Sequence, residues 1–253
     1  MAFLLVPEEL QKKFYEPALH LRGRALAAYV GTSYEMQFAR AGSHCKIELH
    51  WGLQEEKFFS AELRPERWWE RMEWLEMAGS RVAAPGRTDT LLFLCAHGAK
   101  HRWERLKWIC DIAALIRSAP ELDWDGIYAQ AGALRVERML LLGLLLAHRA
   151  LHCPLPPEAL RKALAEREVV ALAAQVQERL YAKTLTAGLL ETARFHIPLR
   201  KRWQDKLRYV SVNTFVPTAG EWKMIQLPGF LAGLYYPLRP VRLLKDALSR
   251  KRQ

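Results

Sequence analysis

The chain has 253 residues and a formal net charge of +11; 51% of its residues are hydrophobic and 26% are charged. This balance is typical of a globular protein and excludes a disordered chain, which would be poor in large apolar side chains. The longest strongly apolar run, Met139 to Ala147, is much shorter than the roughly 18–20 residues that span a bilayer, and it predicts a buried helix.

The first residues and the cysteines indicate the compartment. Met1 to Val6 form an apolar run, but no basic segment precedes it and Pro7-Glu8-Glu9 follows at once, so we expect no signal peptide. The four cysteines are far apart and no two form a Cys-x-x-Cys pair. We expect all four to be buried, reduced thiols, and the protein to be cytoplasmic.

The beginning of the chain predicts short strands. Met1 to Val6 predicts a strand, and Pro7 opens a helix. Polar and apolar residues alternate over Glu35–Ala39 and again over Cys45–Trp51, and a turn-type segment lies between them. These two segments predict a β-hairpin.

The second hairpin strand has two different faces, because successive side chains of a strand point to opposite sides of a sheet. The face predicted to contact a core carries Cys45, Ile47, Leu49 and Trp51. The other face carries Lys46, Glu48 and His50, which places a carboxylate beside an imidazole. A carboxylate held on a strand is a common Mg²⁺ ligand, and the alternative is a solvated strand residue.

Beyond Pro65 the pattern is helical. Helices are predicted over residues 65–77, 88–100, 103–117, 123–131 and 135–152, with several more up to about residue 210. From Pro217 onward prolines interrupt the pattern, and only Val241–Leu248 predicts a short basic helix. We therefore expect an α+β protein with an α/β core over 1–86, a helical domain over 87–216 and a basic extension over 217–253.

A second polar group lies in the helical region. His97 and His101 are four residues apart and share a helix face. That spacing is able to bind Zn²⁺, but Gly98 stands where the zinc-protease motif requires Glu. The alternative is a polar seam with Asp111 where two helices meet, which is either a hydrogen-bonded core feature or the wall of a ligand site.

The positive charge is concentrated near the end of the chain. Residues 194–253 contain thirteen Lys or Arg and three acids, a net charge of +10, with aromatic residues interleaved. Such a region is typical of binding to an acidic partner or an anionic membrane surface. The alternative is a solvated basic face whose aromatic residues pack on the helical domain. Nucleic-acid binding is less favoured, because no recognition-helix motif is visible.

Together these segments resemble a known family, the bacterial uncharacterised nucleotidyltransferases, which are relatives of DNA polymerase β. The strand Ile47-Glu48-Leu49-His50-Trp51 is similar to that family's apolar–acidic–Leu–His–Trp strand. The helical segment from Leu91-Leu92 through His97, His101 and Leu106 to Asp111-Ile112-Ala113 is similar to its helices, and Tyr235 to Leu243 is similar to its ending. The similarity is good over about residues 34–118.

The resemblance implies a partial nucleotidyltransferase core with a mixed β-sheet, followed by a mainly helical C-terminal domain. In that superfamily three carboxylates of the sheet hold two Mg²⁺ ions, and a nucleotidyl group passes from a nucleoside triphosphate to an acceptor. By position, Glu48 matches the third carboxylate and is the implied catalytic and metal-binding residue. The residues implied to bind substrate or nucleotide are His50, His97, His101 and Asp111.

The first two carboxylates of the resemblance are not found. The Asp-x-Asp strand aligns best with Met1–Val6, where Met1 and Phe3 occupy the Asp positions. One carboxylate does not hold two Mg²⁺ ions, because Mg²⁺ dehydrates reluctantly. We therefore expect an N-terminally truncated or degenerate member with weak or no transfer activity. The alternative is a non-catalytic binding or scaffold module whose basic C-terminal region binds an acidic partner or a membrane surface.

Overall fold

A computed structural model describes residues 15–33, 35–51, 70–181, 188–225 and 227–250. The strand predicted over Met1–Val6 and the helix predicted from Pro7 lie outside these residues. The fold is α+β, as the sequence predicts, with small antiparallel sheets early in the chain and helices after them.

The elements are numbered here in chain order. The strands are β1 Tyr15–Pro17, β2 Glu35–Arg40, β3 Lys46–His50, β4 Met72–Met77 and β5 Ser80–Pro85. The first helices are α1 Gly23–Thr32, α2 Arg87–Lys100, α3 Leu106–Ser118, α4 Trp124–Leu134, α5 Glu137–Leu151 and α6 Pro157–Ala165. They are followed by α7 Arg167–Tyr181, α8 Leu189–His196, α9 Trp203–Phe215, α10 Ala219–Met224, a 3₁₀ helix Gly229–Leu234 and α11 Tyr235–Arg250.

The chain divides into two compact units. The first joins the two ends of the sequence, Met1–Lys57 and Val210–Gln253, and the second is Phe58–Tyr209. The division into residues 1–86, 87–216 and 217–253 that the sequence suggests stays a prediction.

The first unit contains a three-stranded antiparallel sheet in the order β1-β2-β3. β2 and β3 form the hairpin that the alternating pattern predicts. One face of the sheet packs on a core whose fully buried members are Leu19, Tyr29, Met36, Phe38, Trp222 and Tyr235. Ile47, Leu49 and Trp51 pack against this core as predicted, whereas Cys45 is exposed because β3 begins only at the next residue.

The C-terminal part of the first unit is more regular than the sequence suggests. Irregular structure was expected from Pro217 onward, but this segment forms α10, the 3₁₀ helix and α11. Pro237 lies in the first turn of α11, where a backbone N–H has no partner within the helix, so it costs no helical hydrogen bond. Pro240 lies inside α11 and removes one helical hydrogen bond, yet the helix continues through it, so α11 begins at Tyr235 rather than at Val241.

The second unit is organised around α5. This helix packs against α2, α3, α6 and α7. Every residue from Met139 to Ala147 is buried, which confirms that the longest apolar run is a core helix.

The helix predicted over residues 65–77 is wrong where the structure describes it, because Met72–Met77 pairs with Ser80–Pro85 in the β4–β5 hairpin. Two residues, Ala78 and Gly79, connect the strands, with φ angles of 51° and 76°. Positive φ at both central residues is the type of two-residue turn that matches the twist of a hairpin.

The four cysteines are free thiols, but they do not share one environment. Cys95 and Cys153 are buried as expected, and burial raises the pKa of both thiols. Cys45 and Cys110 are exposed, so the expectation of burial is wrong for these two. No helix among the described residues is long and apolar enough to cross a membrane.

Candidate functional site

The face of the β2–β3 hairpin that points away from the core carries a polar cluster. The antiparallel register places Glu35 opposite His50 and Gln37 opposite Glu48. Because paired residues of an antiparallel sheet project to the same side, all four side chains share this face. The neighbouring residues Met36 and Phe38 are buried, which fixes the orientation of the strand.

The polar groups of this cluster are in contact. His50 Nε2 lies 3.3 Å from Glu35 Oε2 and 3.7 Å from Glu48 Oε2. The Gln37 amide donates a hydrogen bond of 3.0 Å to Glu48 Oε1. The Glu35 side chain is 25% exposed and that of Glu48 is 50% exposed, so the site is open to solvent on one side. We call Glu35, Glu48 and His50 the hairpin triad.

The hairpin triad has the geometry of a metal site. Ligand-type atoms of its three side chains all lie within 4.8 Å of one another. Ligands held about 2.1 Å from one octahedral ion are about 3 Å apart when adjacent and about 4.2 Å apart when opposite. Small side-chain rotations therefore bring the three groups around one divalent cation. The two carboxylates are suitable Mg²⁺ ligands, and the imidazole adds a nitrogen donor.

The backbone beneath the hairpin triad is held from the core side. The Tyr29 hydroxyl donates a hydrogen bond of 3.0 Å to the Glu35 carbonyl oxygen. Trp51, directly after His50, donates from its indole N–H to the carbonyl oxygens of Ser33 and Val30 at 2.8 and 3.2 Å. Both ends of the triad are thus tied to α1 and the segment after it.

Glu35 is the member of the triad that the sequence analysis missed. The pattern identified Glu35 as the start of a strand but gave no register for the hairpin. In an antiparallel pair, counting back from His50 through the turn identifies its partner, and the observed pairing is Glu35 with His50. The length of the turn and the polar–apolar alternation of the two strands are therefore the sequence signals that could have identified Glu35.

A second cluster lies in the second unit, at the end of α2 and the start of α3. The rings of His97 and His101 are 4.7 Å apart, and both contact Trp108, at 5.4 and 5.1 Å between centroids. Phe93 stacks on His97 at 5.8 Å. All four side chains are partly exposed. We call Phe93, His97, His101 and Trp108 the ring cluster.

His101 is a neutral ring at neutral pH. Partial burial, together with the positive charges of Lys100 and Arg105, lowers its pKa to about 4. Asp111, which the sequence places in the same seam, pairs with Lys107 at 3.4 Å one helical turn earlier. The sequence-predicted seam thus consists mainly of stacked rings, and Asp111 lies beside it on α3 with a lysine partner.

The turn between α2 and α3 has an unusual backbone. Arg102 and Trp103 adopt positive φ angles of 54° and 57°. Left-handed conformations are uncommon for residues other than glycine, and two in succession require support from packing. The buried Trp103 ring supplies it by lying directly against Gly98 of α2. A side chain larger than hydrogen at position 98 would displace the ring.

A known protein family matches a large part of the chain. The family model described as "Uncharacterised nucleotidyltransferase" matches residues 4–152, more than half of the chain. The chain belongs to this family. The search of curated proteins and the search of solved structures gave no significant match.

The part of the chain that matches the nucleotidyltransferase family contains both clusters. The hairpin triad and the ring cluster lie within residues 4–152, whereas α6 and all later helices lie beyond it. The match therefore covers the elements that carry these two groups.

The basic C-terminal region, in contrast, uses part of its charge internally. The carboxylate of Glu221 is fully buried; it contacts Arg242 and lies 3.1 Å from Arg239. It also accepts hydrogen bonds from the Thr218 backbone N–H and hydroxyl, at 2.7 and 2.8 Å. Two of the arginines that contribute to the +10 charge are thus structural partners of one acid.

Proposed function

We propose that this protein binds a nucleoside triphosphate with a divalent cation at the hairpin triad and transfers its nucleotidyl group to an acceptor. The observation that carries the proposal is Glu48, which lies on the open face of β3 in the family-matched segment with a second carboxylate and an imidazole in contact. Cations held by carboxylates of a sheet bind triphosphate oxygens and neutralise their charge.

The chemistry assigned to the site is a substitution at the α-phosphorus. An acceptor oxygen forms a new bond to that phosphorus while its bond to the bridging oxygen of the β-phosphate breaks, and pyrophosphate leaves with the electron pair. Mg²⁺, when bound, supplies charge neutralisation on the phosphates. Glu48 and Glu35 would hold the cation, with His50 as a third ligand through Nε2, and the acceptor's proton passes to solvent on the open side of the site.

We expect the protein to retain nucleotide affinity better than catalytic turnover. Among the described residues the hairpin triad supplies two carboxylates, Glu35 and Glu48, whereas the superfamily site carries three. A site with fewer fixed charges stabilises the developing transition-state charge less than it stabilises the bound triphosphate, so the chemical step suffers more than affinity does.

The ring cluster of the second unit is a separate candidate surface for contact with a nucleotide base. Neutral aromatic rings that are partly exposed stack on planar bases, and an indole contributes about 1–3 kcal/mol per base. His101 presents such a face beside Trp108 and His97, and Asp111 offers an acceptor next to them. We expect Trp108→Ala to weaken the affinity of this surface for a nucleotide by about five- to 150-fold.

The first test is nucleotide binding and pyrophosphate release by the intact chain with Mg²⁺. We expect Glu48→Gln to weaken binding of Mg·ATP or another triphosphate by about tenfold or more. The matched control is Glu76→Gln on β4, whose side chain is 72% exposed and which should leave binding unchanged. Absence of binding for all four common triphosphates, or equal loss in both variants, would overturn the proposal.

A second candidate function is favoured by the surface of α11. Val241 and Leu244 of α11, and Leu234 at the end of the 3₁₀ helix before it, are 48–64% exposed, and Lys245 follows Leu244 in the sequence. An amphipathic helix with exposed apolar residues and adjacent lysines or arginines is typical of contact with an anionic membrane surface. In this alternative the protein is a binding module and the hairpin triad has no catalytic role.

Sedimentation with lipid vesicles separates the two candidates. Membrane contact predicts binding to phosphatidylserine vesicles that weakens with salt, no binding to neutral phosphatidylcholine vesicles, and loss of binding in Leu244→Glu. The matched control is Leu164→Glu on α6, which is also about half exposed. Equal sedimentation of both variants contradicts a membrane role for α11.

A further inference from the structure

We propose that the hairpin triad is a three-ligand centre that selects a divalent transition metal, such as Mn²⁺, over Mg²⁺. Glu35 and His50 are its additional ligands beside Glu48. The inference rests on the proposed function in that it concerns the same face of β2–β3, but it concerns metal binding by the protein alone, without nucleotide.

The two carboxylates need a cation nearby. Glu35 and Glu48 both direct an Oε2 atom toward His50 Nε2, so two negative charges lie around one point. Among the residues that the structure describes, no Lys or Arg forms an ion pair with either of them. Like charges at this distance repel, and a divalent cation between them converts that repulsion into attraction.

The donor atoms are already oriented before a metal arrives. Gln37 holds Oε1 of Glu48 at 3.0 Å, which leaves Oε2 directed toward the centre of the triad. Hydrogen bonds of this kind to the outer atoms of a ligand orient it and raise metal affinity. The three ligands come from paired positions of two adjacent strands, so their spacing is set by the register and not by a flexible loop.

The imidazole decides which metal is favoured. Mg²⁺ takes oxygen ligands and retains several waters, whereas imidazole nitrogen suits Mn²⁺, Fe²⁺, Co²⁺ and Zn²⁺ progressively better. A site made only of Glu35 and Glu48 would have no such preference for nitrogen-binding metals. Contact of His50 Nε2 with both carboxylates therefore gives the transition metal one ligand that Mg²⁺ uses poorly.

The open side of the triad leaves room for further ligands. Glu48 is half exposed and His50 is 40% exposed, so water or phosphate oxygens can complete the coordination. Three protein ligands with open positions is the arrangement of catalytic rather than structural metal sites. The centre therefore fits a metal that is resident in the protein and receives the triphosphate afterwards.

The test measures Mn²⁺ binding to the intact chain without nucleotide. Electron paramagnetic resonance of free Mn²⁺ monitors the binding, and competition with Mg²⁺ gives the relative affinity of the two ions. We expect one site that binds Mn²⁺ at least tenfold more tightly than Mg²⁺. His50→Gln should weaken Mn²⁺ at least tenfold and change Mg²⁺ affinity less than twofold. Glu35→Gln should weaken both ions.

The control variant is His44→Gln, which removes an exposed histidine from the same hairpin and should leave binding unchanged. Circular dichroism and urea unfolding establish that each variant is folded. Equal affinity for Mn²⁺ and Mg²⁺ in the unaltered protein, or unchanged Mn²⁺ binding in His50→Gln, would overturn the inference. If Mn²⁺ binds as expected but no triphosphate does, the metal centre stands and the proposed transfer function fails.

Discussion

Gly98 and Gly132 are helical glycines of the second unit with opposite surroundings. A Cβ at Gly98 would lie no more than 2.6 Å from three atoms of the buried Trp103 ring, whereas nothing lies within 4 Å of the corresponding position at Gly132. The difference allows a matched pair of substitutions to test whether the strained turn at Arg102 and Trp103 depends on this contact.

Gly98→Ala should lower the free energy of unfolding by about 1–3 kcal/mol, because the buried Trp103 ring would have to shift to admit the methyl group. Gly132→Ala should raise it by about 0.5–1 kcal/mol, because alanine restricts the unfolded chain and favours helix. Urea unfolding of the two variants measures both. If Gly98→Ala is as stable as the unaltered protein, the close packing of Trp103 on α2 is not what holds the turn.

At the residue scale, sequence patterns predicted which side chains share a face of one element better than they predicted contacts between two elements. Alternation alone placed Glu48 and His50 on the polar face of β3, and the i, i+4 spacing placed His97 and His101 together, as observed. Glu35 depends on the hairpin register, and Trp108 depends on the crossing of α2 and α3. The polar–apolar pattern of the segment that contains each residue does not predict these contacts with another element.

At the scale of elements, composition misled where turns or prolines decide the structure. Met72 to Met77 contains good helix formers, yet the two-residue turn Ala78–Gly79 makes it a strand. The prolines after residue 217 suggested irregular structure, yet one of them lies in the first turn of α11. The long apolar helix α5 was predictable because its burial does not depend on a turn.

The capping of α10 gives a prediction at this scale. Burial raises the pKa of the Glu221 carboxyl, but hydrogen bonds from Thr218 and the charge of Arg239 outweigh it and hold the pKa below its ordinary value. Glu221→Gln removes the charge that Arg239 and Arg242 contact. We expect a loss of about 3 kcal/mol in the free energy of unfolding.

The control is again Glu76→Gln, whose solvated carboxylate is 3.8 Å from Arg81 and contributes little. Urea unfolding at pH 7 compares the two. The same shift also has a pH dependence of defined sign: the stabilisation by Glu221 is complete above the ordinary glutamate pKa and is lost as the pH falls through its lower folded value. A loss equal to that of the control contradicts a structural role for this ion cluster.

At the scale of the whole molecule, two histidines with lowered pKa values make stability depend on pH. Burial and Arg200 lower the pKa of His196 to about 3, and the pKa of His101 is lowered to about 4. Between pH 6.5 and 4 the unfolded chain therefore binds protons that the folded chain does not. Stability is complete above pH 6.5 and falls as the pH decreases, by about 2 kcal/mol at pH 5 from His196 alone.

Urea unfolding at pH 7 and pH 5 measures this dependence. His196→Gln should reduce the difference between the two pH values, and His44→Gln, on the exposed hairpin connection, should not. Because the comparison is of the pH dependence within each variant, a general loss of stability in His196→Gln does not affect it. An unchanged difference in His196→Gln would show that other groups take up the protons.

The first unit contains segments from both the early and the late part of the chain, and Trp222 lies in the core that they share. Its indole is 1% exposed, lies 3.9 Å from the Tyr235 ring and 5.7 Å from the Tyr29 ring, and belongs to the core that supports β2 and β3. Tyr29 in turn holds the backbone of Glu35. The C-terminal segment is therefore part of what positions the hairpin triad, although it lies about 170 residues away in sequence.

Trp222→Ala should cost about 3–5 kcal/mol of stability, because it leaves a cavity beneath the sheet. Hydrogen exchange should then accelerate in β2 and β3, and metal binding at the triad should weaken with it. Trp203→Ala on α9 is the matched control, since that indole is 68% exposed and its loss should change stability by less than about 0.5 kcal/mol. If the amides of β2 and β3 exchange as slowly in Trp222→Ala as in the unaltered protein, the sheet does not depend on the C-terminal segment for its stability. The basic C-terminal segment is then available to contact a partner instead.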